Sequence, residues 1–430
     1  MERDSGFSGF VLEHENDDTS RLLLSKGKWK GIDIDLAVNT ILSRKKLKNK
    51  VPAWYSEPAL VFPAKLSAEQ CSSQDTAAYK AGIAARLLSE AGLPEGKGRI
   101  ADLTGGLGVD SWAFSGIAGE VLYNEMNPAL ARAAGHNFAA LGAVNIHVSC
   151  RELVSGSLRD ILRIQSGNGT ERKEEFAPDI IFLDPARRDS AGKKVFLLED
   201  CRPDVLELKD ELLSVSRFLM LKLSPMADIS MVTDRLGAVC REVHAVSSGG
   251  ECKELLAVLD REYDGECRIT SVNEAGAPDG MNGSFTFFQS EEKTARAACP
   301  ASEEEAKNAS YLFEPGKSLL KSGAYNLISS RFDTVKISRN THLYLFNDPG
   351  QADVLKYFGK VFRILDVFPM NGRGIRQAAS AYPEAEVTAR NTHMTSERLR
   401  LKLGVRPSDR YHIFGSEYLI ITERYDMPEA

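Results

Sequence analysis

The sequence predicts an α/β fold in which an open, mostly parallel sheet is followed by smaller α+β domains. Five strand-like apolar runs alternate with helix-length segments, which is typical of parallel strands joined by crossover helices. Two further strand-like runs follow with only a short connection between them, which indicates an antiparallel hairpin at the edge of the sheet. The seven strands are expected at Arg99–Leu103, Val121–Glu125, Asn145–Cys150, Asp179–Asp184, Phe218–Leu223, Glu242–Ser247 and Leu255–Leu259.

Domain boundaries follow from where this alternation begins and ends. A chain of 430 residues is long enough for two to four domains. Residues 1–95 have a mostly helical pattern that stops at Gly92–Gly96, a segment with two glycines around a proline. The sheet domain is expected over 96–264, and two α+β domains over 265–347 and 348–430. Their strands are expected at Cys267–Val272, Ser284–Phe288, Val335–Phe346, Phe362–Val367, Ala385–Ala389 and Tyr418–Thr422, with helices from Ser302, over Ser318–Ser330 and over Ser396–Leu403.

Composition and charge exclude several classes of protein. The net charge is −6, so any nucleic acid must be bound by a local basic patch. The seven cysteines include no Cys-x-x-Cys pair and the histidines form no metal-spaced pair, so we expect neither a disulfide framework nor a metal site. The N-terminus lacks the pattern of a signal peptide, and no apolar run approaches the length of a membrane span. We therefore expect a cytoplasmic protein.

A glycine-rich turn follows the first strand. Glycines within Ala101–Gly108 let the backbone pass close to a ligand at the N-terminus of the next helix. A tight turn without a ligand is the alternative. The dinucleotide fingerprint G-x-G-x-x-G is not matched, because position 111 is serine. The turn matches instead the Asp-x-x-x-Gly-x-Gly pattern of proteins that bind S-adenosylmethionine (SAM). The residues expected to bind SAM here are Asp102, Thr104, Gly105, Gly106 and Gly108.

The second strand ends in a carboxylate that strengthens this interpretation. Glu125 stands 17 residues beyond Gly108, where it can accept the two ribose hydroxyls of an adenosine. Without the glycine turn it would be an ordinary charge at a strand end. We also assign Met126, beside it, and Cys150, at the end of the third strand, to the cofactor site.

The fourth strand delivers Asp184 and Pro185 to the edge of the sheet where open α/β folds bind their ligands. This segment resembles the Asp-Pro-Pro-Tyr motif of methyltransferases that act on amino nitrogens. In that motif the aspartate accepts an N–H and orients the lone pair, so Asp184, Pro185 and Arg187 are the expected catalytic residues. Asp184 is also assigned to the cofactor site. Ala186 and Arg187 replace the second proline and the stacking aromatic. A simple Asp-Pro turn after a strand is the alternative.

Methylation of uracil at carbon 5 is a second chemistry that an Asp-Pro-x-Arg run suggests. That reaction needs a cysteine nucleophile near the end of the next strand. Ser224 stands there, and no cysteine follows before Cys240. We reject this interpretation, because serine is a far poorer nucleophile toward a pyrimidine ring.

Two further polar segments lie at predicted positions near the site. Glu251, in the turn between the last two strands of the sheet, could face the cleft. Upstream, the Ser/Asp/Thr-rich start of a helix at residues 72–76 is typical of helix capping. A lid over the cofactor is the alternative, and Lys80 could then reach the methionine carboxylate.

Several segments of the sequence resemble those of a family of bacterial class I SAM-dependent methyltransferases with a THUMP-like domain. The resemblance covers nearly the whole chain and lies in Leu66–Ser73, Asp102–Ser111, Leu183–Arg188, Leu221–Pro225 and Val246–Glu251. It implies a Rossmann-like methyltransferase domain over 96–264, a ferredoxin-like domain over 265–347 and a THUMP-like domain over 348–430. It implies SAM as the cofactor and, by analogy with true THUMP domains, RNA as the substrate.

Local charge is in keeping with an RNA partner. Residues 360–410 hold ten lysines and arginines against five acidic residues, and residues 44–50 form a second basic run. For that second run, a solvated helix face is an equally good interpretation. Methylation of tRNA or rRNA at a base nitrogen is the function we expect. The alternatives are methylation of a protein or small molecule, and RNA binding without catalysis beside a vestigial cofactor site; the oligomeric state is left open.

Overall fold

The computed structural model describes residues 2–165, 173–186, 198–278, 281–298 and 302–425. The chain divides into two compact units. The first contains Met1–Val243 and Glu254–Gly265, and the second contains His244–Lys253 and Glu266–Ala430. No helix among the described residues is both long and apolar enough to cross a membrane.

The first unit begins with helices, as the sequence predicts for residues 1–95. They are α1 (Glu2–Glu13), α2 (Thr19–Leu24), α3 (Ile34–Lys50), α4 (Pro52–Tyr55), α5 (Lys65–Gln70) and α6 (Gln74–Glu90). Helices α3 and α6 start where Asp33 and Ser73 accept a backbone N–H with their side chains, which satisfies donors that the first turn leaves unpaired. The α4 residue Trp54 and Phe62 pack on Leu107 and Val109, so this region shares a core with the segment after the first strand.

The large sheet contains nine described strands, two more than expected. The first eleven strands of the chain are β1 (Arg99–Asp102), β2 (Glu120–Asn124), β3 (Ile146–Ser149), β4 (Arg163–Gln165), β5 (Lys173–Glu175), β6 (Ile180–Leu183), β7 (Phe218–Leu223), β8 (Cys240–Ser248), β9 (Glu251–Asp260), β10 (Arg268–Val272) and β11 (Ser284–Phe288). Strands β4 and β5 form a separate hairpin, and the others pair in the order β11-β10-β8-β9-β7-β6-β1-β2-β3.

The pairing directions confirm the predicted parallel sheet and the antiparallel strand next to it, but the β8–β9 pair is not at the edge as expected, because β10 and β11 lie beyond it. Strand β1 is parallel to β2 and β6, the pairs β2–β3 and β6–β7 are also parallel, and β7 is antiparallel to β9. The central strands β6 and β7 are apolar except for Lys222, as expected for strands buried on both faces, and Ile100, Phe182 and Met220 lie in the main core. The helices of this region are α7 (Val109–Ser115), α8 (Pro128–Ala140), α9 (Leu158–Ile161), α10 (Val205–Val215) and α11 (Ile229–Leu236).

The two additional strands, β10 and β11, were expected in a separate α+β domain. They join the large sheet next to β8. In β11, Phe285 and Phe287 are buried between exposed neighbours, the alternation of a strand with one face on the core. Alternation marks a strand but not its partner, so the sequence did not reveal which sheet they extend.

The second unit contains a seven-stranded sheet in the order β13-β14-β12-β15-β18-β17-β16. Its strands are β12 (Tyr311–Pro315), β13 (Val335–Ser338), β14 (Thr341–Phe346), β15 (Gly359–Pro369), β16 (Glu386–Ala389), β17 (His412–Gly415) and β18 (Tyr418–Arg424). Its helices are α12 (Gln289–Thr294), α13 (Glu303–Asn308), α14 (Lys317–Ser322), α15 (Tyr325–Phe332), α16 (Pro349–Leu355), α17 (Gly372–Ala381) and α18 (Ser396–Leu403). Strands from both expected α+β domains share this sheet, and the division at 347 and 348 stays a prediction.

Several elements of this unit differ from expectation, and β12, β17, α12 and α16 were not expected at all. The single helix expected over Ser318–Ser330 is two helices, because Gly323 adopts a left-handed conformation (φ 85°) that ends α14. The strand expected over Val335–Phe346 is the hairpin of β13 and β14. Helix α17 was not expected, since two glycines lower its helix propensity; the Asn371 side chain caps it and Ile375 is buried in the core beneath it.

Candidate active site

The glycine turn after β1 contains glycines of two kinds. A Cβ atom on Gly105 would lie 2.1 Å from the Tyr123 ring, and one on Gly108 would lie 2.7 Å from the Phe138 ring. Both positions therefore require glycine for packing, and Gly108 also has a positive φ of +95°. Gly106 has a positive φ too (+54°), but its Cβ position faces open space, with the Thr104 carbonyl 3.9 Å away as the nearest atom. Gly106 is thus the position where the backbone leaves room for a ligand.

Glu125 holds this turn in place. Its carboxylate accepts the Gly106 N–H at 2.9 Å and the Asn127 N–H at 2.8 Å, while the Tyr123 hydroxyl donates to the Gly106 carbonyl at 2.6 Å. Each carboxylate oxygen can accept a further hydrogen bond, so this bracing is compatible with ribose recognition. Met126 is 63% exposed beside it, and the Cys150 sulfur lies 3.9 Å from the Met126 carbonyl oxygen. The folded chain thus brings Glu125, Met126 and Cys150 together at the ends of β2 and β3.

The buried Asn124 joins the same strand ends and was missed from the sequence. Its side-chain N–H groups donate to the carbonyls of Leu103 and Arg151, and its oxygen accepts the Arg151 N–H. A buried amide at a strand end is a weak signal in a sequence. Its role emerges only when the segments after β1, β2 and β3 lie side by side.

Asp102 is a buried acid at the end of β1. It accepts the Ser111 hydroxyl at 2.6 Å and the Thr104 N–H at 3.2 Å. Burial raises the pKa of Asp102 to about 8, repulsion from Asp110 and Asp184 adds to the rise, and the two hydrogen bonds oppose it. At neutral pH this carboxyl group is therefore mostly protonated. Its contacts within the described residues fix the turn and the start of α7.

Asp184 follows β6 and lies next to the glycine turn. Its backbone N–H donates to the Thr104 hydroxyl at 2.6 Å, and its carboxylate accepts the Lys222 ammonium at 2.7 Å. The adjacent Pro185 is buried, whereas Arg187 lies outside the described residues. Two of the expected catalytic residues thus stand beside the expected cofactor turn. Thr104 connects them directly.

Lys222 is the partner of Asp184 and was missed from the sequence. It lies in β7, where every other residue of Phe218–Leu223 is apolar, and that single lysine was the available signal. Its side chain is 6% exposed. Burial alone would lower the pKa of Lys222, but attraction to Asp184, Glu254 and Asp110 outweighs it, so the net shift is upward. The ammonium group is charged at neutral pH.

A second buried lysine, Lys80, connects α6 to the same part of the sheet. Its ammonium donates to the Ser72 hydroxyl at 2.8 Å and to Glu254 at 2.8 Å, and it lies 3.1 Å from Asp110. The Ser72 hydroxyl in turn donates to Asp110 at 2.7 Å. Burial would raise the pKa of Asp110, but Lys80 and Lys222 lower it overall. All these groups belong to the first unit.

These contacts settle two expectations about the upstream segment. Capping is confirmed, because the Ser73 side chain accepts the Thr76 N–H at 3.2 Å. The expectation that Lys80 reaches a ligand carboxylate was wrong, since its side chain is 0% exposed and two carboxylates of the chain enclose its ammonium. Glu251 was expected to face the cleft; its side chain is 74% exposed and pairs with Lys253 at 2.7 Å.

Several basic side chains of the run at 44–50 contact other residues of the chain. Arg44 is 3% exposed and donates to the carbonyls of Tyr55 and Glu57. Lys50 donates to the Glu69 carbonyl, and Lys46 lies 3.4 Å from the Glu69 carboxylate. Three of its cations therefore connect α3 to the following segments, while Lys45, Lys46 and Lys48 are exposed.

The basic region of the second unit is more exposed. On α17 and α18, Arg373, Arg376, Arg398 and Lys402 are exposed and have no ion-pair partner in the part of the chain that the structure describes. Arg406 is exposed as well, with Glu384 at 3.6 Å. The first four of these cations lie on α17 and α18, whose apolar residues share a core with strands of the second sheet, and Arg406 follows α18. They could contact phosphate groups without first breaking a strong ion pair.

No group of three histidine, cysteine, aspartate or glutamate side chains that could hold a metal ion occurs among the described residues. The residues around the glycine turn instead fit SAM. Open space faces Gly106, and Glu125 has capacity to accept hydroxyl groups.

Comparison with known proteins identifies the C-terminal part of the chain. A family model for a ferredoxin-like domain matches residues 311–350, and a model for a THUMP domain-like family matches residues 359–428. The chain carries a THUMP-like domain. This finding agrees with the resemblance in the sequence, while the expected bounds 265–347 and 348–430 stay predictions. No curated protein matches the chain.

Solved structures show the fold of the whole chain. The crystal structure of a proposed methyltransferase from Porphyromonas gingivalis W83 matches with a TM-score of 0.81 and 24% identity, covering 99% of each chain. The chain therefore shares the fold of that protein over its whole length and has ferredoxin-like and THUMP-like domains at its C-terminal end. An rRNA methylase from Streptococcus thermophilus covers 41% of this chain and 93% of its own, at 12% identity and a TM-score of 0.28. That second similarity is too weak to show a shared fold.

Proposed function

We propose that the chain is a SAM-dependent methyltransferase that modifies structured RNA, a tRNA or rRNA, at a base nitrogen. The observation that carries this proposal is the arrangement at the sheet edge. The open position at Gly106 lies beside Glu125 at the end of β2, and the turn that contains it is hydrogen-bonded to Asp184 at the end of β6. Ligands of open α/β folds bind at this edge, and the residues present suit an adenosine with a reacting centre next to it.

The roles of the residues follow from their chemistry. When bound, SAM supplies an electrophilic methyl group on its sulfonium. Glu125 and the glycine turn would hold the adenosine. Lys222 holds one oxygen of Asp184, and the other oxygen would accept an N–H of the target amino group and orient its lone pair. This is catalysis mainly by positioning. Since Arg187 replaces the aromatic residue that usually stacks on the base, another part of the chain would have to hold the base.

An RNA substrate is supported by the second unit. It contains the THUMP-like match, and the excess of five positive charges over residues 360–410 includes the exposed cations of α17 and α18. Phosphate contacts favour such local excesses even in a chain that is acidic overall. A protein or small-molecule substrate would leave these cations without a role.

Two measurements test the proposal. Titration calorimetry should show that the protein binds SAM. If no binding occurs at millimolar SAM, the protein would instead be a non-catalytic RNA-binding protein with a vestigial cofactor site. Mass spectrometry of nucleosides should then compare RNA from a wild-type strain with RNA from a deletion strain. We expect one methylated nucleoside to be lost and to return when the deletion RNA is incubated with the protein and SAM. An unchanged nucleoside profile would indicate that the methylated substrate is a protein or a small molecule.

A further inference from the structure

The two buried lysines of the site differ in how many hydrogen bonds they make. The ammonium of Lys80 has three N–H donors and three neighbouring groups, which are Ser72, Glu254 and Asp110. The ammonium of Lys222 also has three donors. Within the described residues, the Asp184 carboxylate is the single acceptor within hydrogen-bonding distance of it.

This difference has an energetic consequence. A buried donor without an acceptor destabilises the folded protein, and more so when the group is charged. Asp110 and Glu254 attract Lys222 electrostatically, but neither accepts a hydrogen bond from it in the described structure. Two N–H donors of a permanently charged group are thus left for a ligand or for water. They belong to the ammonium that already holds Asp184, beside the glycine turn.

The ligand proposed for this site has a group of matching chemistry. The methionine portion of SAM ends in a carboxylate, which accepts hydrogen bonds from an ammonium more strongly than water does. The sequence suggested Lys80 for this task, but Lys80 is enclosed by protein carboxylates. Of the two lysines, Lys222 is the one with donors remaining.

We propose that Lys222 binds the carboxylate of the methionine portion of SAM while it holds Asp184. The inference rests on the proposed function, since it presumes that SAM occupies the site. One ammonium group would then contact both the cofactor and the residue that orients the substrate. Binding of the cofactor carboxylate would fix the position of Asp184.

Titration calorimetry with three ligands tests this proposal without any methyl transfer. SAM has the carboxylate, decarboxylated SAM lacks it, and 5′-methylthioadenosine lacks the whole amino-acid portion. We expect the wild-type protein to bind SAM about 10- to 100-fold more tightly than decarboxylated SAM, the range for a hydrogen bond between charged groups. Lys222→Met should reduce this ratio to within about twofold and leave the affinity for 5′-methylthioadenosine unchanged. Lys222→Arg should retain most of the preference.

The controls separate binding from folding. Lys209→Met removes a lysine that donates to the Leu236 carbonyl away from the site, and it should keep the wild-type ratio. If Lys222→Met does not fold, Lys222→Met combined with Asp184→Asn removes both charges of the pair, and the same ratio is measured on that variant. Equal affinity of the wild-type protein for SAM and decarboxylated SAM would overturn the proposal, as would a ratio that survives the loss of Lys222. Failure of the wild-type protein to bind SAM at all would overturn the cofactor assignment itself.

Discussion

At the scale of single residues, the glycines of the turn differ in role, since two serve packing and one is proposed to serve ligand binding. Gly105 and Gly108 are required because the rings of Tyr123 and Phe138 occupy the space of a side chain. At Gly106 the positive φ favours glycine, and no packed ring occupies the space that a side chain would take. Substitution at the three positions should therefore have different effects, with loss of folding at 105 and 108 and loss of ligand binding at 106.

Replacing Gly106 by valine should abolish SAM binding, because the side chain would fill the open space beside the turn. Gly31→Val is a matched control, since Gly31 also has a positive φ (89°) and open space but lies in the N-terminal helical region. Both substitutions impose about 1–2 kcal/mol of backbone strain. Calorimetry should therefore show loss of binding for the first variant and wild-type affinity for the second. If both variants bound SAM equally well, Gly106 would not be a cofactor residue.

Asp184→Ala should retain SAM affinity within about tenfold and lose turnover, because its proposed interaction with the substrate belongs to the transition state. Turnover can be followed as transfer of a labelled methyl group from SAM to RNA of the deletion strain. Asp160→Ala, which removes an exposed carboxylate paired with Arg163, should change neither quantity. Equal losses of SAM affinity and turnover would make Asp184 a cofactor-binding residue instead.

The raised pKa of Asp102 predicts how stability depends on pH. Between its ordinary value of 3.8 and about 8, the folded state holds a proton that the unfolded state has released. Raising the pH through this window therefore lowers the free energy of unfolding, by at most about 1.4 kcal/mol per pH unit from this group. Asp102→Asn cannot ionise, so it should lose less stability than the wild-type protein between pH 6 and 8.5. Urea unfolding measures the difference, and parallel pH curves would show that Asp102 is ionised in the folded protein.

At the scale of elements, helix α18 provides the clearest test of RNA binding. Arg398 and Lys402 are exposed four residues apart on one helix and have no ion-pair partner among the described residues. Changing both to glutamate should weaken binding of unmodified tRNA more at low salt than at high salt, and should reduce the salt slope by about one for each phosphate that is no longer neutralised. Lys28→Glu with Lys30→Glu, in the N-terminal helical region, is the matched control. If both double variants had the same salt slope as the wild-type protein, α18 would not be part of the RNA interface.

At the scale of the whole molecule, the N-terminal helices are part of the methyltransferase fold. They supply Lys80 to the buried carboxylates Asp110 and Glu254, and Trp54 to the core around Leu107. Removing residues 1–95 should therefore prevent stable folding of the first unit, because breaking a buried ion pair costs about 3–5 kcal/mol and the core also loses a large aromatic side chain. Thermal unfolding and SAM titration would show this. The co-expressed fragment 1–95 should restore both, whereas a truncated protein that melts and binds like the full chain would contradict it.

Local sequence patterns predicted many of the helices and strands, but they could not predict contacts between residues that are distant in the sequence. The all-apolar run around Lys222 gave β7 its bounds, and the amphipathic run Ser396–Leu403 gave α18 its bounds. The spacing of Gly106, Glu125 and Asp184 identified neighbouring strand ends. The pairing of Lys222 with Asp184 could not be foreseen, because it joins residues 38 apart through tertiary structure. For the same physical reason the sequence suggested a ligand role for Lys80, whose protein partners lie far along the chain.

The ion pair between Lys80 and Glu254 also limits how early in translation the cofactor site can fold. Its two residues are 174 positions apart, so the ribosome produces the lysine long before its partner. Until β9 has emerged, burying Lys80 would leave it with Asp110 but without its second carboxylate partner, Glu254, which is costly. The cofactor site should therefore assemble late in translation, and a nascent chain that ends before residue 254 should be unable to bind SAM.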